Sequence, residues 1–281
     1  MTGPFSPEPV TTLLADTFAI PTQPKGLRIW VSRPLQPPPA GGHAVLFMFD
    51  ARAYFAGVTE ITRLMSLSHE IAPLIVVGIG HDAADYAAQV ERRMYDLTLS
   101  PQSPLSFPRG GQGGFRTGGA PDLLDFIAHE LKPFLAARYP MDLNRTVLFG
   151  HSLGGHVVLH EALTRPERYA AFVASSPAVW ADADAVSGDL KTSLARRMPT
   201  RLFISAGEHE GAQSGHIADG VRRLGADFEG GDFGHLDSRM RILADETHTT
   251  AVYAALPPAL RWALRDWPVD KDFDLSKFQA P

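Results

Sequence analysis

The chain has 281 residues, 44% of them hydrophobic and 20% charged, enough apolar material for one large α/β domain or two small ones. A formal net charge of −5 and a pI near 6.1 exclude diffuse attraction to nucleic acid or an acidic membrane, so an anionic ligand requires a local cluster of arginines. With no cysteine there is no disulfide framework, thiolate metal site or Cys nucleophile.

Helix and strand signals run evenly along the chain, which favours a single domain over 1–281. Met1 to Val10 is Pro-rich, with neither a basic start nor an apolar run, and so does not read as a secretory signal. No segment approaches the roughly 18 consecutive apolar residues of a membrane span. The expected compartment is the cytoplasm, with the periplasm open to a chain trimmed of its leader.

In chain order, Thr17 to Ile20 and Leu27 to Ser32 read as an antiparallel pair. A Pro- and Gly-rich loop, Pro34 to Gly42, follows. Ala44 to Phe49 and Leu74 to Ile79 are apolar without polar alternation, as strands covered on both faces must be. Tyr54 to Ser68 between them has room for a helix. Ser100 to Pro121 is dense in Pro and Gly and is expected to form an irregular flap over a site.

Beyond it the expected order is helix Asp122 to Arg138, strand Thr146 to Phe149, helix Gly154 to Leu163 and strand Ala171 to Ala174. Strands Arg201 to Ala206 and Arg239 to Leu243 and a last helix within Ala251 to Asp266 complete the series. Such alternation implies α/β architecture, a mostly parallel, doubly wound sheet flanked by helices.

Gly150-His151-Ser152-Leu153-Gly154 lies between an apolar strand and a helix. A serine on a sharp strand-to-helix turn with small residues two positions to either side is a nucleophile elbow, exposing its Oγ at the top of the sheet. The helix that follows points free N–H groups back at the site, making the Leu153 amide an oxyanion donor. The second donor is expected after the strand Ala44 to Phe49, from the backbone of Ala51 or Arg52.

The general base is expected beyond the last strand, because chains with such an elbow run Ser, acid, His. Of eleven histidines only His248 lies between Arg239 to Leu243 and the final helix; His235, before that strand, is the runner-up. His151 adjoins the serine, but its side chain leaves the elbow in another direction, toward packing or substrate. His81, His129 and His216 read as solvated or hydrogen-bonded surface residues.

The acid is expected in the turn after Arg201 to Ala206, where Glu208 and Glu210 compete. Glu210 leaves room for the chain to turn back toward His248 and is preferred. Glu208 is the alternative acid, and a Ser-His dyad remains open. His156 and His160 have an i, i+4 spacing that can hold zinc, but Val157 replaces the Glu of H-E-x-x-H, so no metal is expected. Gly111-Gln112-Gly113 lacks the strand before it and the Lys-Ser or Lys-Thr after it of a phosphate cradle. No cofactor is expected.

Several further segments, in order, resemble one group of proteins. Phe49-Asp50-Ala51-Arg52-Ala53-Tyr54-Phe55 looks like that group's segment after the third strand, and Arg93-Met94-Tyr95-Asp96-Leu97-Thr98 like its Arg-x-x-Asp-Leu-Thr motif. Phe149 to Gly155 looks like its elbow, Ser175 to Trp180 like the segment after the next strand, and Glu246-Thr247-His248 like its histidine loop. The chain resembles, from Thr17 to Trp267, the bacterial siderophore esterases related to the enterobactin and salmochelin esterases, within the esterase D-like α/β-hydrolases.

The resemblance implies the α/β-hydrolase fold, ester hydrolysis through an acyl-enzyme and a trilactone siderophore as small-molecule substrate, with no nucleic acid or membrane partner. A ferric siderophore carries several negative charges, for which Arg52, Arg92, Arg93, Arg109 and Arg116 are candidate contacts, with His151 beside them. The same arginines are equally candidates for solvation or for pairing with Asp82, Asp85, Glu91 and Asp96. Two departures stand out: Asp50-Ala51 where the group has Asp-Gly, and His156 where an apolar residue is common. The alternatives are a short-acyl carboxylesterase, a thioesterase, an acyltransferase and an inactive hydrolase fold that binds a ligand.

Overall fold

A computed structural model describes residues 15–20, 26–83, 85–101, 114–214, 216–269 and 271. Eight strands form one sheet: β1 (Ala15–Ile20), β2 (Leu27–Ser32), β3 (His43–Met48), β4 (Leu74–His81), β5 (Met141–His151), β6 (Ala171–Ser175), β7 (Thr200–Gly207) and β8 (Leu236–Leu243). Their spatial order is β1-β2-β4-β3-β5-β6-β7-β8. β2 runs antiparallel to both β1 and β4, and every pair from β4 to β8 is parallel.

Parallel neighbours require crossovers. Helices α1 (Ala51–Leu67), α2 (Tyr86–Asp96), α3 (Ala120–Phe126), α4 (Lys132–Ala136), α5 (Leu153–Thr164), α6 (Ala183–Arg196) and α7 (Ile217–Gly230) supply them, and α8 (Ala251–Ala263) follows the last strand. No helix among the described residues is long and apolar enough to cross a membrane.

The pleat explains the unbroken apolar runs of the central strands. Along β3 and into the turn, Val45, Phe47 and Phe49 pack into one core with α3, α5, α6 and α7; Ala44, Leu46 and Met48 pack into the other with α1 and α8. Because both faces are covered, neither set tolerates polar residues.

The expected strands all form, with β5 and β8 longer than the apolar runs suggest. The helix expected over Asp122 to Arg138 starts at Ala120, and a π turn, Ile127–Leu131, joins α3 to α4. Pro133 follows that turn; it cannot donate to the carbonyl of His129 and its ring crowds it, so the ladder widens there. The reading of alternation missed α2, α6 and α7. Asp85 caps α2 through the amide of Ala88 at 2.8 Å, and α7 buries Ile217, Val221 and Leu224 at helical spacing. The centre of the expected flap, with Arg109 and Gly111 to Gly113, lies outside the described residues, while 114–119 leading into α3 is irregular.

Candidate active site

The carboxyl ends of β3, β5, β6 and β7 converge at one rim of the sheet, as parallel register requires: Phe149 pairs with Val173 and Met48, and Ser175 with Ser205. Ser152 stands between β5 and α5 at φ 61°, ψ −120°, a strained conformation for a residue with a side chain. The strain is fixed from several directions. The Ser152 amide donates to Ser175 O at 3.0 Å, while its carbonyl accepts from the amides of His156 and Ala178, each at 3.0 Å. A side chain on Gly150 would collide with the carbonyl of Gly154, so the turn closes only with glycine there.

His248 lies in the turn between β8 and α8. Its Nε2 is 3.0 Å from Ser152 Oγ, and its Nδ1 is 3.1 Å from Glu210 Oε2. Glu210, in the turn after β7, is fully buried. Burial by itself raises its pKa, but donation from His248, from Ser176 Oγ at 2.6 Å and from the Gly207 amide at 2.7 Å outweighs this and holds the carboxyl below its ordinary value. With Glu210 ionised, Nδ1 carries the imidazole proton and Nε2 accepts from the serine hydroxyl. That arrangement activates an alcohol for attack on a carbonyl.

A serine, a histidine and a buried glutamate so aligned at the rim of a parallel sheet suit a class of chemistry; sequence comparison narrows it. Residues 27–214 match the family described as "Putative esterase". The chain belongs to this esterase family. It is 31% identical over 203 residues to the ferri-bacillibactin esterase BesA of Bacillus subtilis, with 70% of each chain covered. To the siderophore triacetylfusarinine C esterase of Aspergillus fumigatus it is 27% identical over 250 residues, covering 80% of this chain and 82% of that one. The crystal structure of the BES protein from Bacillus cereus superposes with a TM-score of 0.83 at 25% identity, over 92% of this chain and 99% of that one. The esterase is a serine ester hydrolase with the α/β-hydrolase fold.

Within the esterase, Leu153 and Ala51 are the first residues of α5 and α1, where no preceding helical turn offers a carbonyl to their amides. The Arg52 amide lies 3.3 Å from where a Cβ on Gly80 would be, over β4 and thus on the far side of β3 from the elbow. Ala51 borders the same strand, its Cβ 2.7 Å from where a Cβ on Gly78 would be.

The other expected residues sort as follows. Glu208 is exposed and accepts from the Asp245 amide at 3.1 Å, while the carboxylate bonded to His248 is that of Glu210. His235 is bound to Ser193 Oγ at 2.9 Å on α6, away from the serine. His151 is buried, 3.1 Å from Ser175 Oγ through Nδ1, with its ring 4.6 Å from that of His248. Burial first, then the neighbouring His248, lower its pKa to about 3, which keeps it neutral against the imidazolium that forms beside it.

Arg92 and Arg93 are paired. Arg92 reaches Asp96 at 3.1 Å, and Arg93 grips Asp50 through two bonds, a partner the sequence reading did not consider. Arg52 remains exposed with one 3.4 Å contact to Ala83 O, and Arg116 stacks 4.1 Å over the Tyr95 ring. His81 is buried against Asp96 at 2.9 Å, contrary to the surface position expected.

His160 pairs with Asp189 at 2.9 Å, while His156 is buried with neither ring nitrogen partnered. Among the described residues this pair gathers no third metal ligand; the one such group, Glu208, His209 and Asp245, is exposed. Sequence reasoning also missed Ser176, whose hydroxyl supports Glu210 from the end of β6. Its position one residue past a buried strand was the available signal.

Proposed function

We propose that Ser152 is the nucleophile, His248 its general base and acid, and Glu210 the group that holds the imidazole tautomer, with the amides of Leu153 and Ala51 as oxyanion hole. The hydrogen-bonded line from Glu210 through His248 to Ser152, at 3.1 and 3.0 Å, carries this reading. Ser152 Oγ attacks the ester carbonyl as its proton passes to His248 Nε2, and the tetrahedral oxyanion forms against the two amides. Collapse returns that proton to the leaving alkoxide and leaves an acyl-enzyme. Water, deprotonated by the same nitrogen, then releases the acid and restores the serine. Each turnover consumes one water and breaks one ester bond.

The substrate read for this site is a trilactone siderophore, taken as its anionic ferric complex. The activities of BesA and of the fusarinine esterase support it, since both act on siderophores. Exposed Arg52, one residue past Ala51, is a cation positioned for such an anion. Product analysis by mass spectrometry tests both halves. An enterobactin-like trilactone, free and ferric, is expected to open to the linear trimer and then shorten stepwise, and Ser152→Ala is expected to lose on the order of 10³ or more in turnover while keeping its fold. Turnover of simple p-nitrophenyl esters alone would reassign the substrate; an active Ser152→Ala would overturn the mechanism.

A further inference from the structure

An Asp before the first turn of a helix ordinarily caps it, its carboxylate accepting from the second or third amide. Asp50 heads α1 and makes no such bond, and its backbone is left-handed at φ 56°, ψ 38°. A residue with a side chain holds that conformation when its surroundings over-determine it. Both carboxylate oxygens are used elsewhere: Arg93 Nε donates to Oδ1 at 2.7 Å and Nη2 to Oδ2 at 2.9 Å, a two-point fork that fixes the plane of the carboxylate. Burial lowers the pKa of Arg93, but the charge of Asp50 and its bonds outweigh this and raise it, so the guanidinium stays charged in its buried place.

The fork is anchored and close to the elbow. Arg93 sits in the last turn of α2, whose end is tied down where Thr98 Oγ1 donates to Met94 O at 2.6 Å and accepts from the Gly118 amide at 2.8 Å. On the other side, a Cβ on Gly154 would stand 3.2 Å from Phe49 Cβ and 3.7 Å from Asp50 Oδ2, so the Asp50 turn rests directly on the start of α5. The amide that follows Asp50 is that of Ala51.

We propose that Arg93 is a positioning residue for the oxyanion hole: by holding the Asp50 carboxylate away from its own helix it fixes the left-handed turn that aims the Ala51 amide at the reacting carbonyl. It also neutralises an anion that would otherwise lie beside a developing oxyanion. This inference rests on the assignment of Ser152 and Ala51 above. Lysine supplies one of the two bonds and cannot fix the carboxylate plane.

The test compares Arg93→Gln, Arg93→Lys, Asp50→Asn and the double variant Arg93→Gln/Asp50→Asn, using p-nitrophenyl acetate turnover and the rate at which diisopropyl fluorophosphate labels Ser152. Misplacing one oxyanion donor should cost somewhat less than deleting it, so kcat of Arg93→Gln is expected to fall about 10- to 100-fold with KM within about threefold. The labelling rate should fall by the same factor, Arg93→Lys should recover part of both, and the double variant should be no worse than the worse single one.

A folded Arg93→Gln with full kcat, a change confined to KM, or losses that multiply in the double variant would each overturn the proposal; the KM outcome would return Arg93 to substrate contact. If Arg93→Gln does not fold, Arg93→Lys and Asp50→Asn decide between the same outcomes. Ser152→Ala separates the two readings: if it is inactive and unlabelled while the Arg93 variants match wild type, only the positioning role fails.

Discussion

Two glutamates of this esterase, Glu210 at the catalytic rim and Glu161 on α5, are each fully buried, and the protein treats them in opposite ways. Glu210 accepts from His248, Ser176 and the Gly207 amide, and these bonds outweigh burial and lower its pKa. Glu161 faces Arg168 at 3.2 Å and Arg165 at 3.5 Å, yet burial dominates and its pKa is raised. Counting cations nearby would rank these two carboxylates the wrong way round. Short, aimed donors hold a buried anion, whereas partly solvated arginines at longer range do not repay the loss of hydration.

The sharpest break of this contrast removes the partner that Glu210 serves. His248→Ala is expected to match Ser152→Ala, losing on the order of 10³ or more in kcat/KM on any good ester, because no other base lies within reach of Ser152 Oγ among the described residues. His235→Ala should keep near-native kcat/KM, since it loses a bond to Ser193 and a ring contact with Phe233, neither of which touches Ser152. Initial-rate kinetics on both variants check this, and an exchange of their effects would mean that His248 is not the base.

A finer cut keeps the shape of the acid and removes its charge. Glu210→Gln is expected to lower kcat by roughly 10²–10⁴, as loss of the acid does in other triads, whereas exposed Glu208→Gln stays within a few-fold of wild type. Turnover must be read beside thermal melting, because Ser176 and Gly207 also lean on the Glu210 carboxylate. A dyad would leave both variants, and the pair combined, within a few-fold of wild type.

The smallest effect belongs to the other glutamate. Glu161→Gln should leave kcat unchanged and move stability modestly, because the ionised form it replaces is already disfavoured in the fold. The pH dependence carries the sign. A carboxyl whose folded pKa is raised contributes stability that is full below the unfolded pKa, about 4.3, and is lost as pH rises through the folded value. Melting curves across pH 4 to 8 should therefore show Glu161→Gln gaining on wild type as pH rises. A variant that loses ground with rising pH would show that Arg168 and Arg165 hold Glu161 as an anion after all.

The strands and the elbow were legible in the sequence because they rest on contiguous residues. An apolar run covered on both faces, a Gly-x-Ser-x-Gly on a turn and a histidine after the last strand are local patterns that sheet geometry can satisfy in few ways. The helices α6 and α7 were legible in principle, since parallel strands demand crossovers, but their half-buried patterns are weaker than those of the strands.

What the sequence by itself determined is thus the fold class, and it singled out Ser152 and His248, which the structure brings within 3.0 Å of each other. Only the tertiary structure decided that Glu210 and not Glu208 turns inward, that His151 packs behind His248, and that Arg93 belongs to Asp50. Those partners lie 38, 97 and 43 residues apart. Two glutamates two residues apart on a turn have the same local chemistry, and which of them is buried depends on what the register of β6, β7 and β8 brings against the turn: the Ser176 hydroxyl, the Gly207 amide and the His248 ring. Burial and partnership are properties of that assembled surface, and no window of contiguous residues contains them.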